Sequence, residues 1–143
     1  MQAVILAGGL GTRLKELSQG IPKSMMSIGD KPLLEHQVIL LQKYGVKEII
    51  LIVNHLKEHI QAHFGNGSRW GVDIAYYEEK IPLGTVGGIK ACEDNLKEDF
   101  IVLYGDVMVD MDVNRLMSFH HRTESDCTLV LHPNDHPLDS DLV

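Results

Sequence analysis

The segment at residues 6–14, Leu-Ala-Gly-Gly-Leu-Gly-Thr-Arg-Leu, combines residue types that suit the binding of a phosphate chain. Its glycines allow backbone N–H groups to approach phosphate oxygens without a side-chain clash. Arg13 can bind phosphate oxygens through two parallel hydrogen bonds, which makes it a candidate catalytic cation. We therefore predict a nucleotide-binding loop that includes Leu6, Ala7, Gly8, Gly9, Gly11 and Thr12.

Two common phosphate-binding motifs do not fit the spacing of these glycines. A Walker A loop has Lys-Ser or Lys-Thr directly after its second glycine, whereas Thr12 and Arg13 follow Gly11. A dinucleotide fingerprint anchored at Gly9 and Gly11 needs a small residue where Leu14 stands. The remaining alternative is a plain strand-to-helix turn, which would explain one glycine but not the whole segment.

A lysine after a proline follows the glycine segment and adds a second candidate cation. Pro22 restricts the path of the chain and is expected to aim Lys23 back towards the glycines. An ammonium group there suits an α-phosphate that gains negative charge during transfer. We predict that Lys23 is catalytic.

The apolar patterns predict alternating strands and helices that would bring such residues to one edge of a sheet. Strands are predicted at residues 3–7, 48–53, 73–77, 99–104 and 126–131. Helices are predicted at residues 33–44, 57–64, 85–95 and 113–121, the last capped by Asp112. This alternation indicates an α/β fold of three layers, Rossmann-like, with a mainly parallel sheet and helices on both faces.

Composition and charge favour one soluble, cytoplasmic domain of 143 residues, with 44% apolar and 23% charged residues. No apolar run approaches the roughly 18 residues that span a bilayer. The net charge of −7 argues against nucleic-acid and anionic-membrane partners. Residues 1–31, by contrast, carry four basic and two acidic side chains, which indicates a small anionic ligand near the N-terminus.

The cysteines and histidines are not expected to form a disulfide or a metal site. Cys92 and Cys127 lie far apart in apolar segments, a pattern typical of buried free thiols in a reducing compartment. His132 and His136 flank Pro133, so they cannot share a regular helical face, and no cysteine lies at zinc-ligand spacing.

Four motifs together resemble the sugar-1-phosphate nucleotidyltransferase family, also called nucleoside-diphosphate-sugar pyrophosphorylases. The family opens with Gly-Gly-x-Gly-Thr-Arg-Leu followed by Pro-Lys, which are residues 8–14 and 22–23 here. Its Leu-Gly-Thr-Ala-Gly stretch stands at residues 83–87, with valine in place of alanine, and Gly105-Asp106 follows an apolar strand. The resemblance covers residues 1–143, as the N-terminal nucleotide-binding part of a single domain truncated before its sugar-binding part.

The resemblance implies a set of site residues and a magnesium cofactor. The glycine segment would hold the nucleotide together with Gly84 and Thr85, and Arg13 and Lys23 would hold its phosphates. Asp106, at the carboxyl end of a parallel strand, would be catalytic and would help to bind Mg²⁺. Its alternative role is to cap a loop. A second metal-binding aspartate would lie beyond these residues, so we expect the isolated 143 residues to lack part of the site.

The reaction that the resemblance implies is an in-line displacement. A phosphate oxygen of a sugar 1-phosphate would attack the α-phosphorus of a nucleoside triphosphate, and pyrophosphate would leave. No covalent enzyme intermediate is needed, because positioning and charge neutralisation by Mg²⁺, Arg13 and Lys23 would supply most of the catalysis.

Glu79 stands where relatives that use a pyrimidine nucleotide can carry glutamine. A carboxylate only accepts hydrogen bonds, and guanine offers adjacent N1–H and N2–H donors, whereas thymine and uracil offer one donor between two carbonyls. We therefore predict that Glu79 binds the base and that GTP is the substrate, unless Glu79 is simply solvated. The ending at residues 132–143 also resembles the branch that transfers guanylyl groups to mannose or heptose 1-phosphate.

Two other functions stay open at this point, and so does a homo-oligomeric state. The chain could be an inactive, pyrophosphorylase-like regulatory or nucleotide-binding subunit, although Arg13, Lys23 and Asp106 favour an enzyme. It could also transfer nucleotides to a different acceptor, such as choline phosphate or a molybdopterin cofactor. The stretch at residues 83–87 favours the sugar branch.

Overall fold

The computed structural model describes residues 1–9, 20–81, 83–97 and 99–131. The chain divides into two compact units, residues 1–111 and residues 112–143. Among the described residues, no helix combines the length and apolar character needed to cross a membrane.

The first unit is built around a parallel sheet of four strands. The four strands of this sheet are β1 (Gln2–Leu6), β4 (Glu48–Val53), β5 (Asp73–Glu78) and β6 (Phe100–Tyr104). Between β1 and β4 the chain forms a separate hairpin of β2 (Ser27–Ile28) and β3 (Lys31–Pro32). The hairpin strands pair only with each other, and the parallel strands follow the order β5-β4-β1-β6. The predicted strands at 48–53, 73–77 and 99–104 are thus confirmed to within one residue, and β1 begins one residue earlier than predicted.

The strand order creates a switch point at β1. The chain adds β4 and then β5 on one side of β1, and afterwards returns to place β6 on the other side. Leu6, the last residue of β1, is paired with Ile52 of β4 and with Tyr104 of β6. The carboxyl ends of β1 and β6 therefore flank the place where open α/β sheets bind their ligands.

In the described part of the first unit, three α-helices pack around the sheet: α1 (Leu33–Lys43), α2 (Lys57–Phe64) and α3 (Gly84–Ala91). Helix α1 starts directly after Pro32 and ends before Gly45, whose φ is +82°, as its sequence pattern predicts. Helix α2 has the predicted bounds. Helix α3 is shorter than the predicted 85–95 helix, because a 3-10 turn at Glu93–Asn95 replaces its last part.

The two faces of the sheet are covered by different helices. On one face, Cys92 at the end of α3 packs in a buried cluster with Val4 and Ile52. On the other face, Tyr76 Oη donates a hydrogen bond to the carbonyl of Gly65, which ends α2, at 2.6 Å. Helix α1 joins this second layer through the hydrogen bond between His63 Nε2 and Glu35 Oε2, at 2.7 Å. The predicted three-layer α/β fold is confirmed.

The second unit contains α4 (Val113–Thr123). The carboxylate of Asp112 accepts a hydrogen bond from the Arg115 backbone N–H at 3.0 Å, which confirms the predicted cap. The predicted strand at residues 126–131 is wrong. A strand needs a neighbour to complete its hydrogen bonds, and no described strand pairs with this segment. Its apolar side chains are therefore not covered: Leu129, Val130 and Leu131 are 62–65% exposed.

The prediction that both cysteines are buried is correct for Cys92 and wrong for Cys127. Cys92 is 2% exposed and packs against the sheet, whereas Cys127 is exposed and free. The apolar neighbours of Cys127 suggested a buried strand, and the absence of that strand from the described part of the chain leaves its thiol accessible.

Candidate active site

The ends of β1 and β6 are in close backbone contact. The Gly105 N–H donates a hydrogen bond to the Leu6 carbonyl at 2.9 Å. A Cβ at position 105 would lie 3.0 Å from Leu6 O and 3.1 Å from Ala7 Cα. Glycine at 105 therefore allows the strand that ends before Asp106 to approach the start of the glycine segment.

Lys23 and Asp106 meet at this junction. Lys23 opens a 3-10 turn directly after Pro22, and Asp106 lies in a turn in which the Val107 N–H donates to the Tyr104 carbonyl at 3.2 Å. Lys23 Nζ lies 3.1 Å from Asp106 Oδ2, and both side chains remain partly exposed. Two of the three residues predicted to be catalytic, Lys23 and Asp106, are thus in contact and accessible to a ligand, whereas Arg13 lies outside the described residues.

Glu79 is buried beside the glycine segment and is not solvated. It follows β5 and is 9% exposed, and its backbone N–H donates to the Val53 carbonyl at 2.9 Å. A Cβ built on Gly88 of α3 would lie 2.6 Å from Glu79 Oε1, and one built on Gly8 would lie 3.3 Å from Oε2. The carboxylate therefore lies between α3 and the glycine segment, at the same edge of the sheet as Asp106.

Helix α3 begins at this edge too. Gly84 has a φ of +71°, and the residue before it provides no side-chain cap. Thr85 Oγ1 lies 3.3 Å from Tyr104 Oη, which connects the first turn of α3 with the end of β6. The uncapped N–H groups of a helix start suit an anion or another acceptor.

Asn54 and Gln37 are neighbours of the site that the sequence motifs did not identify as site residues. Asn54 follows β4, and a Cβ on Gly8 would lie 3.3 Å from its Cβ, so Asn54 lies behind the glycine segment. Gln37 is buried in α1 and binds the turn that carries Asp106. The available signal for Gln37 was a glutamine within the apolar stripe of α1.

The described residues include most of the predicted site. Leu6, Ala7, Gly8, Lys23, Glu79, Thr85 and Asp106 all lie at the carboxyl edge of the sheet or in the segments that adjoin it. Gly9, which follows Gly8, is exposed, and no atom of the described residues lies within 4 Å of a Cβ at its position. Gly11, Thr12, Arg13, His132 and His136 lie outside the described residues.

The donor set at this edge fits magnesium in one of its usual binding modes. Asp106 presents an accessible carboxylate, and the described part of the chain holds no cluster of three or more potential metal ligands. Mg²⁺ is commonly bound by one or two carboxylates together with substrate phosphates and water. Asp106 fits that mode and not a cage made only of protein ligands.

The Nucleotidyl transferase family profile matches residues 2–141. The D-glycero-alpha-D-manno-heptose 1-phosphate guanylyltransferase of Campylobacter jejuni is 47% identical over 116 residues, which are 81% of this chain and 52% of that protein. The UTP–glucose-1-phosphate uridylyltransferase of Synechocystis is 35% identical over 142 residues, which cover 91% of this chain and 37% of that protein.

A solved structure agrees with these sequence matches. HddC from Yersinia pseudotuberculosis, crystallised in complex with GMP-PN, is 35% identical and superposes with a TM-score of 0.74, covering 83% of this chain and 53% of that one. The chain therefore spans about half the length of the Campylobacter and Yersinia proteins. The match of the family profile over nearly all of its residues shows that this chain belongs to the nucleotidyl transferase family.

Proposed function

We propose that the protein transfers a nucleotidyl group from a nucleoside triphosphate to a sugar 1-phosphate, giving a nucleoside-diphosphate sugar and pyrophosphate. The observation that carries this proposal is the contact of Lys23 with Asp106 at the switch point of the sheet, next to the glycine segment. A cation and a metal-binding carboxylate beside a glycine-rich turn are what transfer between phosphates requires. The family match and the names of the relatives support the same reaction class.

The residues of this chain would act mainly by binding and by neutralising charge. Backbone N–H groups of the glycine segment would bind the triphosphate, and Lys23 would hold an α-phosphate oxygen, with Arg13 as a further cation. An oxygen of the sugar 1-phosphate forms the new bond to the α-phosphorus as the bond to the pyrophosphate oxygen breaks. Asp106 would hold Mg²⁺, which when bound neutralises phosphate charge.

We propose GTP as the preferred triphosphate. The burial of Glu79 supports this preference, because its carboxylate lies between Gly8 and Gly88 and is not exposed to bulk solvent. It can accept hydrogen bonds from the adjacent donors of guanine. The Campylobacter relative is named a guanylyltransferase and the Yersinia structure holds GMP-PN, whereas the Synechocystis relative is named for UTP.

We propose a hexose or heptose 1-phosphate as the acceptor. The Campylobacter relative, at 47% identity, is named for D-glycero-alpha-D-manno-heptose 1-phosphate. Mannose-1-phosphate guanylyltransferases, such as that of Mycobacterium tuberculosis at 36% identity, support a mannose-type sugar in the same way.

Pyrophosphate release by the full-length protein tests this function. Each common nucleoside triphosphate is combined with mannose, glucose and heptose 1-phosphates in the presence of Mg²⁺, with Asp106→Ala as the control. We expect release that depends on GTP, on one sugar phosphate and on Asp106. Tight nucleotide binding without release for any pair would instead favour the inactive regulatory subunit.

A further inference from the structure

Gln37 is a fully buried polar residue in the middle of the apolar stripe of α1. Its Nε2 donates hydrogen bonds to the carbonyl of Tyr104 at 2.8 Å and to that of Val107 at 2.5 Å. These carbonyls stand immediately before and after Gly105 and Asp106. One side chain of α1 therefore holds both ends of the turn that carries the proposed metal ligand.

The burial of this amide costs free energy that a leucine or methionine would not cost. Two hydrogen bonds use both N–H groups of the amide, but Gln37 Oε1 is buried without a hydrogen-bond partner among the described residues. An unsatisfied buried oxygen is destabilising, so packing alone would favour an apolar residue at this position in α1. An apolar residue could not form the two hydrogen bonds to the turn, because these bonds require an N–H donor.

The Gly105 N–H fixes the start of the turn through its hydrogen bond to the Leu6 carbonyl, whereas the residues after Gly105 have weaker restraints among the described residues. The turn's own hydrogen bond, from the Val107 N–H to the Tyr104 carbonyl, is 3.2 Å long, and Tyr104, Asp106 and Val107 are exposed. Gln37 binds the backbone of the turn and not the Asp106 carboxylate, which contacts Lys23. Fixing the backbone on both sides of Asp106 limits the directions in which its carboxylate can point.

We propose that Gln37 is a positioning residue that fixes the Asp106 turn, so that the carboxylate is oriented before metal and substrate bind. This inference rests on the proposed role of Asp106 as a magnesium ligand. Residues that orient a metal ligand typically contribute about 10- to 100-fold to metal affinity or activity. Gln37 would act in this way through the backbone and without touching substrate.

The test uses the full-length protein and the variant Gln37→Met, which has a similar length and no donor. Val38→Ala is the matched control, because Val38 is its fully buried neighbour in α1 and has no hydrogen bond to the turn. The Kd for Mn²⁺ is measured by electron paramagnetic resonance with a non-hydrolysable GTP analogue bound, because the proposed site uses substrate phosphates as ligands. The hydrogen-exchange rate of the Val107 amide and Tm are measured without substrate. Gln37→Leu, which also lacks the donors, replaces Gln37→Met if that variant does not fold.

We expect Gln37→Met to weaken Mn²⁺ binding by about 10- to 100-fold and to speed exchange of the Val107 amide. Val38→Ala should lower Tm and leave both of the other quantities unchanged. Unchanged Mn²⁺ affinity in Gln37→Met, or an equal loss of affinity in Val38→Ala, would overturn the proposal.

The variant Asp106→Asn separates this inference from the proposed function. If Asp106→Asn loses Mn²⁺ binding and transfer activity while Gln37→Met keeps both, only the positioning role is wrong. If Asp106→Asn binds Mn²⁺ as the wild type does, the metal role of Asp106 itself is wrong, and the inference about Gln37 falls with it.

Discussion

Lys23 Nζ lies 3.1 Å from Asp106 Oδ2, although the two residues are 83 positions apart in the chain. Their side chains are 34% and 45% exposed, and ion pairs of this kind contribute at most about 1 kcal/mol to stability. The contact therefore contributes little to the stability of the fold, and we interpret it as part of a functional site. It places a cation and the carboxylate that we propose as a magnesium ligand together at the point where the sheet reverses its strand order.

Replacement of Lys23 should affect catalysis far more than stability. We expect Lys23→Met to lower kcat by roughly 10²- to 10³-fold, the usual effect of removing one group that stabilises transition-state charge. Its unfolding free energy should change by less than about 1 kcal/mol. Initial rates of pyrophosphate release and chemical denaturation measure the two effects.

Lys97→Met is the matched control for Lys23. Lys97 pairs with Glu48 at the amino end of the sheet, opposite the proposed site, and is also exposed. Its loss should leave kcat unchanged. Equal activity of the two variants would contradict a catalytic role for Lys23.

Gly105 and Gly9 should respond differently to an added methyl group. Gly105→Ala places a Cβ 3.0 Å from Leu6 O, so we expect a destabilisation of about 1–3 kcal/mol together with lower activity. The Cβ of Gly9→Ala meets no atom of the described residues within 4 Å, so we expect a change in stability of less than about 0.5 kcal/mol. Gly9→Ala should nevertheless weaken nucleotide binding, because the glycine segment must approach the phosphates closely. Denaturation curves and nucleotide titrations distinguish the two patterns, and wild-type stability in Gly105→Ala would contradict the close strand contact.

The base preference should depend on the Glu79 carboxylate. We expect Glu79→Gln to lower kcat/KM for GTP by roughly 10- to 100-fold. A hydrogen bond to a charged group contributes about 1.5–3 kcal/mol, and its loss corresponds to a decrease of that size. Activity with UTP or dTTP should fall less. The adjacent Glu78→Gln is the control, because Glu78 is exposed and pairs with Lys57.

Gly88→Ala tests the same role without changing Glu79. Its Cβ would lie 2.6 Å from Glu79 Oε1, so the carboxylate must move. We expect a loss of GTP preference similar to that of Glu79→Gln, measured with the same panel of triphosphates. An unchanged preference in both variants would show that Glu79 does not read the base.

The two cysteines should differ strongly in reactivity. Cys92 is buried and its Sγ–H donates to the Ile89 carbonyl, and burial raises the pKa of its thiol, so it holds less reactive thiolate near neutral pH. Cys127 is exposed. Iodoacetamide should therefore modify Cys127 in the native protein and both cysteines after denaturation, as read by peptide mass spectrometry. Equally fast modification of native Cys92 would contradict its packing against the sheet.

The sequence predicted the elements whose patterns are local. A run rich in β-branched residues indicated β4, and Pro32 and Gly45 marked the ends of α1. The alternation of these elements was enough to predict a parallel sheet with helices on both faces. Because the carboxyl ends of parallel strands share one edge, the placement of Asp106 at that edge followed from the same pattern.

Contacts between distant segments were beyond sequence patterns. Nothing in Pro22-Lys23 shows that Lys23 meets Asp106, since that contact depends on where β6 is added to the sheet. The segment at 126–131 has the composition of a strand, yet strand formation depends on a partner that local sequence does not reveal. The role of Gln37 was equally hidden, because a glutamine in an apolar stripe does not disclose which carbonyls it binds.

In the proposed reaction, an oxygen of a sugar 1-phosphate attacks the α-phosphorus of the triphosphate at this site. To test this step, the full-length protein is incubated with GTP, Mg²⁺ and a sugar 1-phosphate whose phosphate oxygens carry ¹⁸O, and the products are followed by mass spectrometry. We expect ¹⁸O in the nucleoside-diphosphate sugar, unlabelled pyrophosphate, and loss of both products in Lys23→Met and Asp106→Ala. Label in the pyrophosphate, or product formed equally well by both variants, would contradict the proposed reaction.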